Sequence, residues 1–328
     1  MNTFINPYHI YLVNNNQYLC LKPVKSRFFY IENSLIQISN KPFFHFSLLS
    51  SRRMFVHLFI MCNSICEKSR TVVKNSYMVS DCIFQGFSSD FSGSVLYFDT
   101  VESIKIFRCD FSLCFSLTRG GCIYIYSSEN TEILQVCGFL CHSSITGPCG
   151  QFLYQNTGNY GINKEISISK CWNTTSFGDD SLCICRCQNE SITFSNFSDN
   201  NACNHETSAF LAYSIQMVRF SYCSVINNVG STAFGIYLES GSSHSVHHLN
   251  IIGNTVSSSL IYIKTPIQLE YCYIHSNSLS VGPSITLLHS VDSSHSILIN
   301  HCSFHIESTK QQQIINHTHL FVFFFLLK

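Results

Sequence analysis

One phrase recurs along this 328-residue chain. It is a Cys, an apolar residue two places on, a polar loop, and then another apolar strand. Copies lie at Asp81-Cys82-Ile83-Phe84, Arg108-Cys109-Asp110-Phe111, Val136-Cys137-Gly138-Phe139, Tyr222-Cys223-Ser224-Val225, Tyr271-Cys272-Tyr273-Ile274 and His301-Cys302-Ser303-Phe304. Degenerate copies fall at Cys171, Ser195 and Asn250, and the mean spacing of the nine landmarks is about 27.5 residues. A period of this size specifies a solenoid, in which each turn buries its apolar face only against its neighbours. Cys82, Cys109, Cys137, Cys171, Cys223, Cys272 and Cys302 should then stack as an internal ladder, neutral Cys packing as a small hydrophobe. Neighbours would stand one strand spacing apart, about 4.8 Å, close enough for some inter-turn disulfides.

The alternation of side chains locates the corners. In the turn from Val101 to Ser128, Ile104 and Ile106 alternate with polar residues, and so do Cys109 and Phe111. Yet Ile106 and Cys109 are three steps apart, which on a continuous strand would place them on opposite faces. A bulge or corner must lie between them. The same break separates Ile168 from Cys171, Phe220 from Cys223, Leu269 from Cys272 and Ile299 from Cys302. After a variable loop, Gly120-Gly121 leads into a third strand beginning at Cys122, with parallels at Gly93, Gly150, Ser208, Thr232 and Ser259. The expected fold is all-β: one right-handed parallel β-helix of nine to eleven turns, roughly 27 residues and three short strands per turn. Residues 76–319 should form the helix, residues 1–75 degenerate first turns and a cap, and residues 320–328 an apolar tail. That tail reads either as a last strand and cap or as the start of a membrane span, since its run of eight apolar residues is far short of the roughly 20 a span needs.

Composition agrees with strands. Phe (28) and Tyr (16) are abundant, Pro is scarce (6) and charged residues make only 12%. Lys plus Arg and Asp plus Glu balance at 19 each, so nothing favours a nucleic-acid partner. The amino terminus lacks a basic n-region and a clean apolar core, so no secretory signal is evident. Four N-glycosylation sequons begin at Asn173, Asn189, Asn196 and Asn316, a pattern compatible with export.

Two phrases carry a family resemblance. Phe197-Ser198-Asp199-Asn200, Val225-Ile226-Asn227-Asn228 and Ile274-His275-Ser276-Asn277 resemble a Phe-x-x-Asn motif, and Gly120-Gly121-Cys122-Ile123 resembles Gly-Gly-Ala-Ile. Together they resemble the polymorphic outer membrane protein repeat and the cysteine-rich β-helix surface proteins of some parasitic protists, over about residues 76–319. The resemblance implies a surface or secreted protein without catalysis, acting in adhesion or in recognition of a host, glycan or protein partner, with no cofactor. Asn200, Asn228 and Asn277 have a local physical reading too: at tight corners Asn tolerates unusual dihedrals and bonds the backbone.

An enzymatic alternative exists. Gly178-Asp179-Asp180-Ser181 resembles the Gly-Asp-Asp element of polygalacturonases, and paired carboxylates suit glycoside hydrolysis. The accompanying elements depart from that family's pattern: Gly158 stands where the catalytic Asp of Gln155-Asn156-Thr157 would follow, Glu206 follows His205, and Tyr262 precedes Ile263-Lys264. Asp179, Asp180, His205 and Lys264 are thus the candidates of a carbohydrate-active enzyme of the pectin-degrading type, set against a non-catalytic leading expectation. A third reading is a degenerate gene product without activity. Cys183, Cys185 and Cys187 alternate on one strand, about 6.8 Å apart, a spacing that suits core packing or disulfides to adjoining turns rather than one metal ion. His244, His247 and His248 cluster in a Ser-rich stretch without a nucleophile-bearing turn.

Overall fold

The computed structural model describes residues 76–90, 92–143, 152–171, 182–202, 207–237, 244–263, 266–279, 286–290, 297–306 and 320–323, together with three earlier strands at Leu35–Gln37, Phe44–Phe46 and Leu58–Met61. The described residues are strands and turns, with no helix. They stack in parallel as a β-solenoid of about six turns. Nine to eleven turns were expected of the whole chain, part of which lies outside these residues. The early strands pair with the body: Leu35–Gln37 and Phe44–Phe46 in parallel, and Leu58–Met61 antiparallel to Ser76–Ser80. Leu320–Phe323, within the apolar tail, pairs in parallel with Ile297–Asn300.

One turn explains the rest. In Val101–Ser112 the buried residues are Ile104 and Ile106, then Cys109 and Phe111. Arg108 between them has φ of 51°. A single left-handed residue turns the chain and restores the inward phase, which is the corner the broken alternation required. It recurs at Asp81, Gln135, Glu165, Phe194, Tyr222, His248, Tyr271 and His301. The interval between these corners runs from 23 residues (His248 to Tyr271) to 30 (Tyr271 to His301). A second left-handed corner follows five residues on, at Gly86, Leu113, Leu140, Lys170, Asp199, Asn227, Gly253 and Ser276. The third face begins near Cys122 and carries Ile123, Ile125, Leu153, Cys183, Cys185, Phe210 and Ala212 inward.

The buried residue after each first corner defines one column: Cys82, Cys109, Val136, Ile166, Ser195, Cys223, Leu249, Cys272 and Cys302. The expected ladder is corrected at three places. Cys137 is exposed, because the left-handed residue is Gln135 and Val136 takes the inward place beside Cys109. Gly138 then falls at the inner position aligned with Phe111, and the Phe152 ring fills the volume that a side chain there would occupy. Cys171 belongs to the second corner, after Lys170. At the turn assigned to Asn250, Leu249 is the inward residue.

The column after the second corner is Phe87, Cys114, Cys141, Cys171, Asn200, Asn228, Asn254 and Asn277, all buried. Its Asn half is continuous. The backbone N–H groups of Asn200, Asn228 and Asn254 donate to the Oδ1 atoms of Asn228, Asn254 and Asn277, each at 2.9 Å. The Asn side-chain amides donate in turn to Ile168, Phe197, Val225 and Ile251 carbonyls. Corner backbone that the sheet ladders leave unpaired is thereby satisfied inside the core. Cysteine continues the role: the Cys141 N–H meets Cys171 Sγ at 3.3 Å, and the Cys171 N–H meets Asn200 Oδ1 at 2.9 Å. Asn254 joins Asn200, Asn228 and Asn277 in this ladder; its signal, Ile251-Ile252-Gly253-Asn254, was present in the sequence.

Candidate functional site

The left-handed residues of the first corner cannot point inward, so their side chains form an outer column running the length of the solenoid. Adjacent rungs make complementary pairs. Arg108 forms a two-pronged ion pair with Asp81, at 2.6 and 2.8 Å. The Gln135 amide donates to Glu165 at 2.7 Å, and this contact heads the causes that lower the Glu165 pKa. From Phe194 on the column is aromatic: Phe194, Tyr222, His248, Tyr271 and His301. Successive ring centroids lie 5.1, 4.5, 5.1 and 4.9 Å apart.

The rings are stacked, with interplanar angles of 4° to 19°. Phe194, Tyr222 and Tyr271 are each at least half exposed. Each ring covers its neighbours' faces, so the column offers edges to solvent: two phenol hydroxyls and two imidazoles, spaced at the strand repeat of about 4.8 Å. Left-handed φ costs a bulky residue about 1–2 kcal/mol, and ring stacking offsets part of that cost. A second column, on the third face, stacks Tyr97, Tyr124 and Tyr154 at 5.3 and 5.0 Å, with Tyr124 and Tyr154 buried. The Arg186 guanidinium lies 4.7 Å from the Tyr213 ring centre and 5.9 Å from that of Tyr154.

The histidine cluster separates in space. His244 is buried and its Nδ1 accepts the Val218 N–H at 2.7 Å. His247 pairs with Glu270 at 3.0 Å. His248 alone joins the outer stack. Of the sequons, Asn189 and Asn196 lie on strands and are partly exposed, the Asn189 amide donating to Gln216 at 3.3 Å. Asn173 and Asn316 lie outside the described residues, as do Asp179, Asp180, His205 and Lys264. Two residues of the polygalacturonase-like element, Gln155 and Thr157, are buried in the core.

Inside, one level of the solenoid is polar. Glu190 occupies an inward position between Gly161 and Val218. Asn163 Nδ2 donates to Glu190 Oε1 at 2.6 Å, and Cys187 Sγ donates to Oε2 at 2.9 Å. Gln155 Oε1 accepts from Cys185 at 3.5 Å and from Asn163 at 3.4 Å. Gly161 makes the room: a Cβ there would collide with Glu190 Oε2. Burial pushes the Glu190 carboxyl up to about 7, against the thiol and amide donors that favour its charge. Cys183, Cys185 and Cys187 are all buried in this level, and burial raises the pKa of each thiol.

Every described cysteine is a free thiol. One group converges. The Sγ atoms of Cys114, Cys122 and Cys141 all lie within 4.8 Å of one another, fully buried. No family model matches the chain, nor does any curated protein or solved structure.

Proposed function

We propose that this chain is a non-catalytic recognition protein of the cell surface or extracellular space, of the cysteine-rich β-helix kind that polymorphic outer membrane protein repeats typify, binding a glycan or protein partner. The observation that carries this reading is the exposed ladder Phe194–Tyr222–His248–Tyr271–His301. Tyr and His edges combine apolar area with hydrogen-bonding tips at little entropic cost, the qualities of interface hot spots. A solenoid holds them in a fixed row, so a partner's groups engage several rungs without first ordering the protein.

The test is a binding screen of the folded chain on glycan arrays and intact cells, repeated with Tyr222→Ser/Tyr271→Ser. The double variant should keep its circular dichroism spectrum and lose at least tenfold in binding. Binding unaffected by the substitutions removes the ladder from the interface. Hydrolysis of polygalacturonate, abolished in Asp180→Asn, would overturn the non-catalytic reading.

A further inference from the structure

Cys114 and Cys141 occupy successive rungs of the second-corner column, and Cys122 enters beside them at the start of the third face. Three separate backbone restraints hold the triangle. Leu113 and Leu140 are fixed in left-handed corners. Gly120, also left-handed, packs so closely that a Cβ would strike the Ile123 carbonyl. Cys122 is tied by its N–H to the Phe152 carbonyl at 3.1 Å. All three sulfurs are fully buried and point at one another.

Three thiols around one centre are more than packing needs, since Phe87 fills the equivalent corner one turn earlier. A metal–sulfur bond of about 2.3 Å sets the sulfurs of a trigonal centre about 4 Å apart, and the three sulfurs here all lie within 4.8 Å of one another. Among the described residues no fourth His, Cys, Asp or Glu completes a tetrahedron. Zinc at a structural site takes four ligands, whereas an all-sulfur, low-coordinate donor set suits soft Cu(I).

We infer that Cys114, Cys122 and Cys141 form a three-sulfur site for a soft, thiophilic cation of the Cu(I) class, enclosed within the solenoid. The metal ligand is the thiolate, so Cu(I) plus three thiols gives a three-thiolate centre and releases three protons to solvent, and uptake weakens as pH falls. The thiol donations that end on binding include those of Cys114 and Cys141 to the Ser112 and Phe139 carbonyls, at 3.2 and 3.3 Å. Because the triangle is closed on all sides, the ion enters as the chain folds, so binding and folding are coupled. Such ligands leave no local spacing motif: Cys114 and Cys122 are eight residues apart, and Cys141 is a full turn beyond Cys114.

The full chain is refolded anaerobically with Cu(I) under a competing Cu(I) chelator, and bound copper is counted and its neighbours read by X-ray absorption. One equivalent with three sulfur neighbours is expected. Cys122→Ala should lose that equivalent, while Cys185→Ala, which removes an equally buried thiol elsewhere, should retain it. Equal copper in the two variants overturns the site, as does a disulfide among the three cysteines in the refolded chain. If Cys122→Ala does not fold, the wild-type spectrum decides: nitrogen or oxygen neighbours, or only two sulfurs, overturn the assignment.

Discussion

A carboxyl group enclosed by Gly161, Asn163 and Cys187 has no water to stabilise its charge, so Glu190 holds its proton to about pH 7. In the unfolded chain the same group ionises near its ordinary value of about 4.3. The folded state therefore binds the extra proton between these two values. Its contribution to stability is complete below the unfolded pKa, falls as pH rises, and is lost once pH passes the folded pKa. Denaturation at pH 5 and pH 8 should show the protein weaker at pH 8 by roughly 3 kcal/mol from this group. Glu190→Gln should flatten that difference; an unchanged slope would place the titration elsewhere. Gly138 is a second residue-level test. A Cβ there would lie 2.5 Å from Phe152 Cε2, so Gly138→Ala should cost about 1–3 kcal/mol by overpacking, read from the urea midpoint. Nothing in Val136-Cys137-Gly138-Phe139 taken alone disfavours inward Cys137 and Phe139. Phe152, brought over from the third face, makes inward Val136 and Gly138 fit.

At the scale of the element, the column after each second corner does what sheet hydrogen bonds cannot. Asn228 accepts the Asn200 N–H at 2.9 Å and donates to Phe197 and Asn254. Its removal leaves several buried groups unpaired, each worth about 1–3 kcal/mol. Asn228→Ala should therefore cost about 3 kcal/mol in urea denaturation, and Asn277→Ala, at the ladder's end, less. Equal losses at both positions would show that the bonds between rungs contribute little. The corners themselves were legible in the sequence, because a three-residue step between apolar positions breaks strand alternation at one place in every turn. The residue taking the left-handed dihedral was not. Arg, Gln, Glu, Phe and Tyr adopt it here, residues with no local preference for it, alongside Asp81, His248 and His301, whose types are enriched there. Neighbouring rungs, through stacking and pairing, stabilise the choice. The outer aromatic ladder was missed for the same reason, since its members are scattered at turn-length intervals.

Across the whole molecule, each turn touches only the turns beside it, so stability is a sum of local terms and interfaces. Hydrogen exchange should be slowest in the middle rungs, between Val101 and Ile226, and quicken toward both ends. In Asn228→Ala the amides near Asn200 and Asn254 should lose far more protection than those near Cys109. Uniform loss along the stack would mean that the chain opens as one unit. The period near 27 residues, the alternation and the broken phase at each corner were enough to specify a parallel β-solenoid, because that architecture repeats one local rule. Which residues meet across turns was decided only by the stack. A shift of one residue exchanges the inner and outer faces, as at Val136 and Cys137, and the inter-turn register is set by side chains 23 to 30 residues away. The thiol triangle, the buried Glu190 and the aromatic column all arise from that register, since their members are neighbours in space and strangers in sequence.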